Sequence, residues 1–132
     1  MSKTKKRKEF SISITKRIKL SAEDIDDIMC SALEGGITYW CNEAEVVGDY
    51  LGEYAHEQIS RGGTLMLHDA EEDEVYELTL EKLLKGIQMA IYENCYAEYE
   101  WFNCEGVDPC QIDADVADCI VQFALFNEIM FA

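Results

Sequence analysis

Between Asp113 and Phe126 the chain leaves itself little polar face, and this constrains the fold more than anything else in the sequence. Val116, Ile120, Val121, Phe123, Ala124, Leu125 and Phe126 follow an aspartate suited to cap a helix N-terminus. A helix apolar on nearly every side must be wrapped by other elements, so it belongs at the centre of the core. The remaining chain can supply one such wrapping and too little for two, because 132 residues at 48% hydrophobic content make one ordinary domain.

The wrapping elements follow from local pattern. Phe10, Ile12 and Ile14 alternate with polar residues, the period of a half-buried strand opening a sheet. Ser21 with Asp24 resembles a capping box, and Ile25, Ile28, Met29, Ala32 and Leu33 continue at helical spacing until Gly35-Gly36. The stretch from Ile37 to Leu51 reads as a strand giving way to a second helix that Gly62-Gly63 stops. Leu65 and Leu67 should share a face with Tyr76 and Leu78 in an antiparallel pair joined by "HDAEEDE". Thr79 caps a further helix striped by Leu80, Leu83, Leu84, Ile87 and Ile91, and an irregular segment containing the single proline leads to the last helix. The expected fold is α+β, a small antiparallel sheet with a hairpin packed against three to four helices, over residues 10–132, behind a basic flexible leader at 1–9.

Charge is distributed unevenly. Residues 1–20 hold eight cations against Glu9, a net of +7, while the rest of the chain holds three cations against 26 acids, a net of −23. So acidic a body is repelled by nucleic acid and anionic membrane and attracted to basic surfaces, including grooves that hold DNA or RNA. Its expected partner is a basic protein. Neither a secretory signal nor an apolar run of about 20 residues is present, which points to the cytoplasm. There cysteines stay reduced, so disulfides are the least expected use of the six.

Catalysis finds little support. His56 and His68 are the only histidines, no serine or cysteine stands in a nucleophile motif, and no glycine-rich phosphate loop occurs. The run "HDAEEDEVYE" fails as an EF-hand, because counting from Asp69 puts Glu74 where glycine is required and Leu80 where the bidentate glutamate should stand. A hydrated hairpin tip also lacks the cleft that separates carboxylate pKa values for acid/base work. A solvated turn blunting a sheet edge and a recognition surface are the two readings left for Asp69, Glu71, Glu72, Asp73 and Glu74. Tyr92, Tyr96, Tyr99, Trp101 and Phe102 could stack bases, but Glu93, Glu98, Glu100 and Glu105 interleave with them. Core packing or an interface with a basic partner suits them better, with Glu98 and Glu100 as a second contact patch. Zinc is the one cofactor to consider. Cys95, Cys104 and Cys110, completed by Cys119 or a histidine, could staple the irregular segment, although their spacing is looser than in common zinc motifs.

The stretches "LEGGITYWCNEAEVVGDYLGEYAHEQISRGGTLMLHDAEEDEVYELTLEKLLKGIQ" and "CQIDADVADCIVQFALFNEIMF" resemble a family of small proteins encoded by phages and prophages of Gram-positive bacteria. The resemblance covers most of residues 33–131 and carries no catalytic residue. Small acidic phage proteins of this kind include anti-CRISPR proteins that occupy the DNA-handling surfaces of RNA-guided nucleases. The resemblance therefore implies an inhibitor in the host bacterial cytoplasm that binds a type II CRISPR nuclease through its acidic surface and blocks target-DNA loading. The alternative is a zinc-stapled structural or adaptor protein of phage origin that binds another basic host protein.

Overall fold

Three helices begin where a side chain can accept an orphan backbone N–H. In the computed structural model, which describes residues 7–132, Ser21 caps helix α1 (Ala22–Ser31), Thr79 caps α2 (Leu80–Tyr92) and Asp113 caps α3 (Ala114–Phe126). Ser21 and Asp24 form a reciprocal capping box, at 2.9 and 3.0 Å. Helix α1 then widens into a π turn over Ala32–Gly36, closed by the Ile37 N–H on the Ala32 carbonyl.

Helix α3 runs through the centre, with Val116, Ala117, Ile120 and Val121 fully buried. Helix α2 lies against it so closely that a Cβ on Gly86 would stand 2.5 Å from the Ile120 carbonyl oxygen and 2.7 Å from the Ala124 Cβ. Only glycine allows that approach. Against these helices sits a three-stranded antiparallel sheet in the order β1 (Cys41–Val46), β2 (Leu65–Asp69), β3 (Val75–Leu78). Leu65 pairs with Leu78 and Leu67 with Tyr76, as the alternation requires. The inward leucines 65, 67 and 78 are fully buried, each stabilising the fold by about 1.5–3 kcal/mol. A two-rung hairpin, β4 (Phe102–Asn103) with β5 (Gly106–Val107), punctuates the segment between α2 and α3. The molecule is thus a single α+β domain, and no helix among the described residues is long and apolar enough to cross a membrane.

A buried glutamine closes the far side. Gln122 accepts the N–H groups of Met130 and Phe131 at 2.8 Å each and donates to the Phe131 carbonyl and to Asp118, which folds the C-terminal tail back along α3. Asp118 also accepts the Trp40 indole N–H (2.8 Å) and the Tyr39 hydroxyl (2.6 Å), and the Phe131 ring stacks on Trp40. Burial and the Asp118 carboxylate push the Tyr39 phenol well above its ordinary range.

Two sequence expectations fail. The second helix does not form between residues 47 and 63. That stretch is a loop with a single 3-10 turn (Ala55–Glu57), because the buried Gln58 side chain supplies the partners a helix would have supplied. Its Oε1 accepts the Leu51 N–H at 2.9 Å and its Nε2 donates to the Asp49 carbonyl at 3.1 Å. The opening strand is also absent. Phe10, Ile12 and Ile14 lie outside any strand and are 90%, 85% and 80% exposed. Of the leader expected at residues 1–9, positions 1–6 lie outside the described residues.

Candidate partner-binding surface

The acidic hairpin tip is ordered by one of its own carboxylates. Asp69, the last residue of β2, turns inward and is 8% exposed. Its Oδ1 accepts the N–H groups of Glu71 (2.9 Å) and Glu72 (3.0 Å), and its Oδ2 accepts the Tyr76 hydroxyl (2.8 Å). The Glu72 N–H, then the Glu71 N–H and the Tyr76 hydroxyl, hold this carboxyl below its ordinary value of 3.8. Burial, followed by the hydrogen bond to Asp69 and then the Asp69 charge, pushes Tyr76 up to about 12. Asp69, expected as a contact residue, is therefore the post around which the tip is built. Glu71, Glu72, Asp73 and Glu74 all face solvent and make no ion pair among the described residues.

That negative surface continues onto the outer face of the sheet. The register aligns Glu43 with His68 and Val75 in one row, and Glu45 with Met66 and Glu77 in the next. His68 is the only basic side chain within the rows, its Nε2 lying 3.0 Å from Glu45 and 3.9 Å from Glu43, while Lys82 of α2 reaches to 3.7 Å from Glu77. Sequence reasoning missed Glu43 and Glu45 because it gave their segment in part to a helix. The signal lay in their alternation with Ala44 and Val46, both of which pack against the core.

The second expected patch sits elsewhere in the chain. Glu98 lies in the 3-10 turn Ala97–Tyr99 and Glu100 just after it, both exposed. Asn94, Tyr96 and Glu100 all take left-handed backbone conformations, at φ of 53°, 53° and 55°. Trp101 anchors the turn, fully buried with its indole N–H on the Cys95 carbonyl at 2.8 Å. Tyr96, Tyr99 and Phe102 pack partly against the core, whereas Tyr92 is exposed. Glu98 borders an open recess of about 580 Å³ with Tyr39, Tyr96, Asp115 and Asp118. Burial and then the Asp115 charge raise the Tyr96 phenol.

The four cysteines considered as zinc ligands do not converge. Cys95 and Cys119 are joined to each other as a disulfide, while Cys104 and Cys110 are exposed free thiols. Helix packing explains the pair: Cys119 lies on the buried side of α3, and Cys95 stands three residues beyond α2, the helix pressed against it. Disulfide use, the least expected outcome, is thus what the structure shows for these two. Among the described residues no group of three or more His, Cys, Asp or Glu side chains is placed to hold a metal ion. The sequence matches no family model, and no curated protein or solved structure matches it.

Proposed function

We propose that this protein is an inhibitor that binds a type II RNA-guided CRISPR nuclease in the host cytoplasm and blocks target-DNA loading, acting by stoichiometric occupation without turnover. One observation carries the reading: the exposed carboxylates of the hairpin tip run on into Glu43, Glu45 and Glu77 of the outer sheet face, where the basic side chains beside them among the described residues are the His68 imidazole, 3.0 Å from Glu45, and Lys82, 3.7 Å from Glu77. Duplex DNA offers one charge per about 1.7 Å of its axis, and such nucleases meet it with a positively charged channel. A rigid acidic hairpin competes for the same arginines and lysines without the cost of opening a duplex. Glu98 and Glu100 form a second contact.

The test is a gel shift of target DNA on a guide-loaded type II nuclease, with this protein titrated in at low and moderate salt. DNA binding should vanish near equal protein concentrations and recover as salt rises. Replacing Glu71, Glu72, Asp73 and Glu74 by lysine should abolish the effect. Undiminished DNA binding, with no association between the two proteins, would remove the nuclease as target. The adaptor reading would then remain, with a different basic host protein as partner.

A further inference from the structure

The segment that joins α2 to α3 holds its backbone in a costly shape and is fastened at few points. Asn94 tolerates the left-handed region, but Tyr96 and Glu100 at φ of 53° and 55° each cost free energy that their surroundings must offset. Hydrogen bonding does not tie these residues to the body. Among the described residues the bonds of positions 96–100 stay local, with the Ala97 N–H on the Asn94 carbonyl, Tyr99 on Tyr96 and Glu100 on Ala97. Beyond the partial packing of Tyr96 and Tyr99, two fastenings remain. One is the Cys95–Cys119 disulfide, which ties the start of the segment to α3, and the other is buried Trp101. The Trp101 indole N–H is itself held by the Cys95 carbonyl at 2.8 Å, so both fastenings converge on Cys95.

The disulfide is also within reach of solvent. Cys95 and Cys119 both line the open recess of about 580 Å³, and half-buried Cys95 is the more exposed of the two, Cys119 being 3% exposed. From these features we propose that Cys95–Cys119 is a reversible redox latch, which a dithiol reductant opens to release residues 94–108 while the rest of the fold stays in place. A thiolate of the dithiol attacks the Cys95 sulfur, a mixed disulfide forms, and Cys119 leaves as a thiolate that takes up a proton. The second thiolate of the reductant then displaces Cys95. The protein gains two thiols, and the reductant ends as a disulfide. Helix α3 survives the step, because a buried Cys119 thiol packs as a small apolar group and α2 still meets α3 at Gly86. A reducing cytoplasm is where disulfides are transient. Release would move Glu98 and Glu100, the second contact of the proposed inhibitor; that consequence rests on the proposed function, whereas the latch rests on the segment's own geometry.

The test is hydrogen exchange of the full chain read by mass spectrometry, with and without dithiothreitol and with no nuclease present. Alkylation in denaturant should count four thiols before treatment and six after it. Peptides covering residues 94–108 should then exchange about tenfold faster, while those covering β2 and the second half of α3 keep their rates. Oxidised glutathione should restore the slow exchange, and Cys95→Ser should show the fast exchange without any reductant. Six thiols before treatment overturn the inference, as does a disulfide that dithiothreitol reduces only in denaturant. Unchanged exchange at residues 94–108 after reduction overturns it too. Acceleration that spreads to β2 would make the bond a staple of the whole fold and overturn the latch as well. Because no nuclease enters the experiment, the latch and the proposed inhibition stand or fall separately.

Discussion

Leu65–Leu78 and Phe10–Ile14 are built from the same alternation and hold opposite places in the molecule. The hairpin has its leucines at zero exposure against α3, and its tip is tied down by Asp69. The arm has its aromatic and isoleucine side chains in solvent. Period-two patterning assigns side chains to faces, and it does not by itself supply the neighbouring strand that makes a face worth having. In the hairpin that neighbour is close along the chain, Tyr76 pairing with Leu67 nine residues before it, and the connection is self-capping. The arm runs into helix α1 and pairs with no strand among the described residues.

The contrast can be broken most forcefully inside the hairpin. Leu67→Ala should cost about 2–5 kcal/mol in urea unfolding, whereas Ile12→Ala should stay within about 0.5 kcal/mol in dilute protein. Equal effects would mean that the arm is part of the monomer core. Next in size is Asp69→Asn, which weakens three hydrogen bonds at once. Because the fold holds this carboxyl below 3.8, the stability it adds is fully present above that pH and is lost as the pH falls through the lowered folded value. Wild type should therefore exceed the variant at neutral pH, and the gap should close in acid. A gap that persists below the folded value would assign the loss to shape and not to charge. Tyr76→Phe removes one of those bonds and should cost about 1 kcal/mol. Smallest of all, lysines at Glu71, Glu72, Asp73 and Glu74 should change stability by only about 0.5 kcal/mol each. The same substitutions should abolish the proposed nuclease binding, separating the recognition role proposed for the tip from the hairpin's structural one.

Much of this architecture is legible before folding, for definite reasons. Ser21, Thr79 and Asp113 announce helices because a capping side chain acts on N–H groups two or three residues away. The hairpin register is legible because two leucines and their partners alternate across a polar tip. Residues 47–63 are not, since what organises them is one buried glutamine whose partners lie seven and nine residues upstream. The Cys95–Cys119 pair depends on how closely α2 and α3 approach, which Gly86 permits but no local pattern declares. The acidic tip itself was visible, down to Glu71, Glu72, Asp73 and Glu74. The inward turn of Asp69 was hidden, because a carboxylate that caps its own turn looks in sequence like its neighbours.

The indole environments have a practical consequence. Trp40 is held by Asp118, stacked beneath Phe131 and edge-on to Tyr76, so it sits where the C-terminal tail, α3 and the hairpin meet. Trp101 is held by the Cys95 carbonyl, within the segment that the disulfide fastens to α3. These are the chain's two tryptophans, and each is a native optical gauge for a different junction. Emission from a Trp101→Phe variant follows the tail and hairpin alone, and emission from a Trp40→Phe variant follows the disulfide-tied segment alone. Loosening at either junction can thus be watched in this protein without attaching a dye.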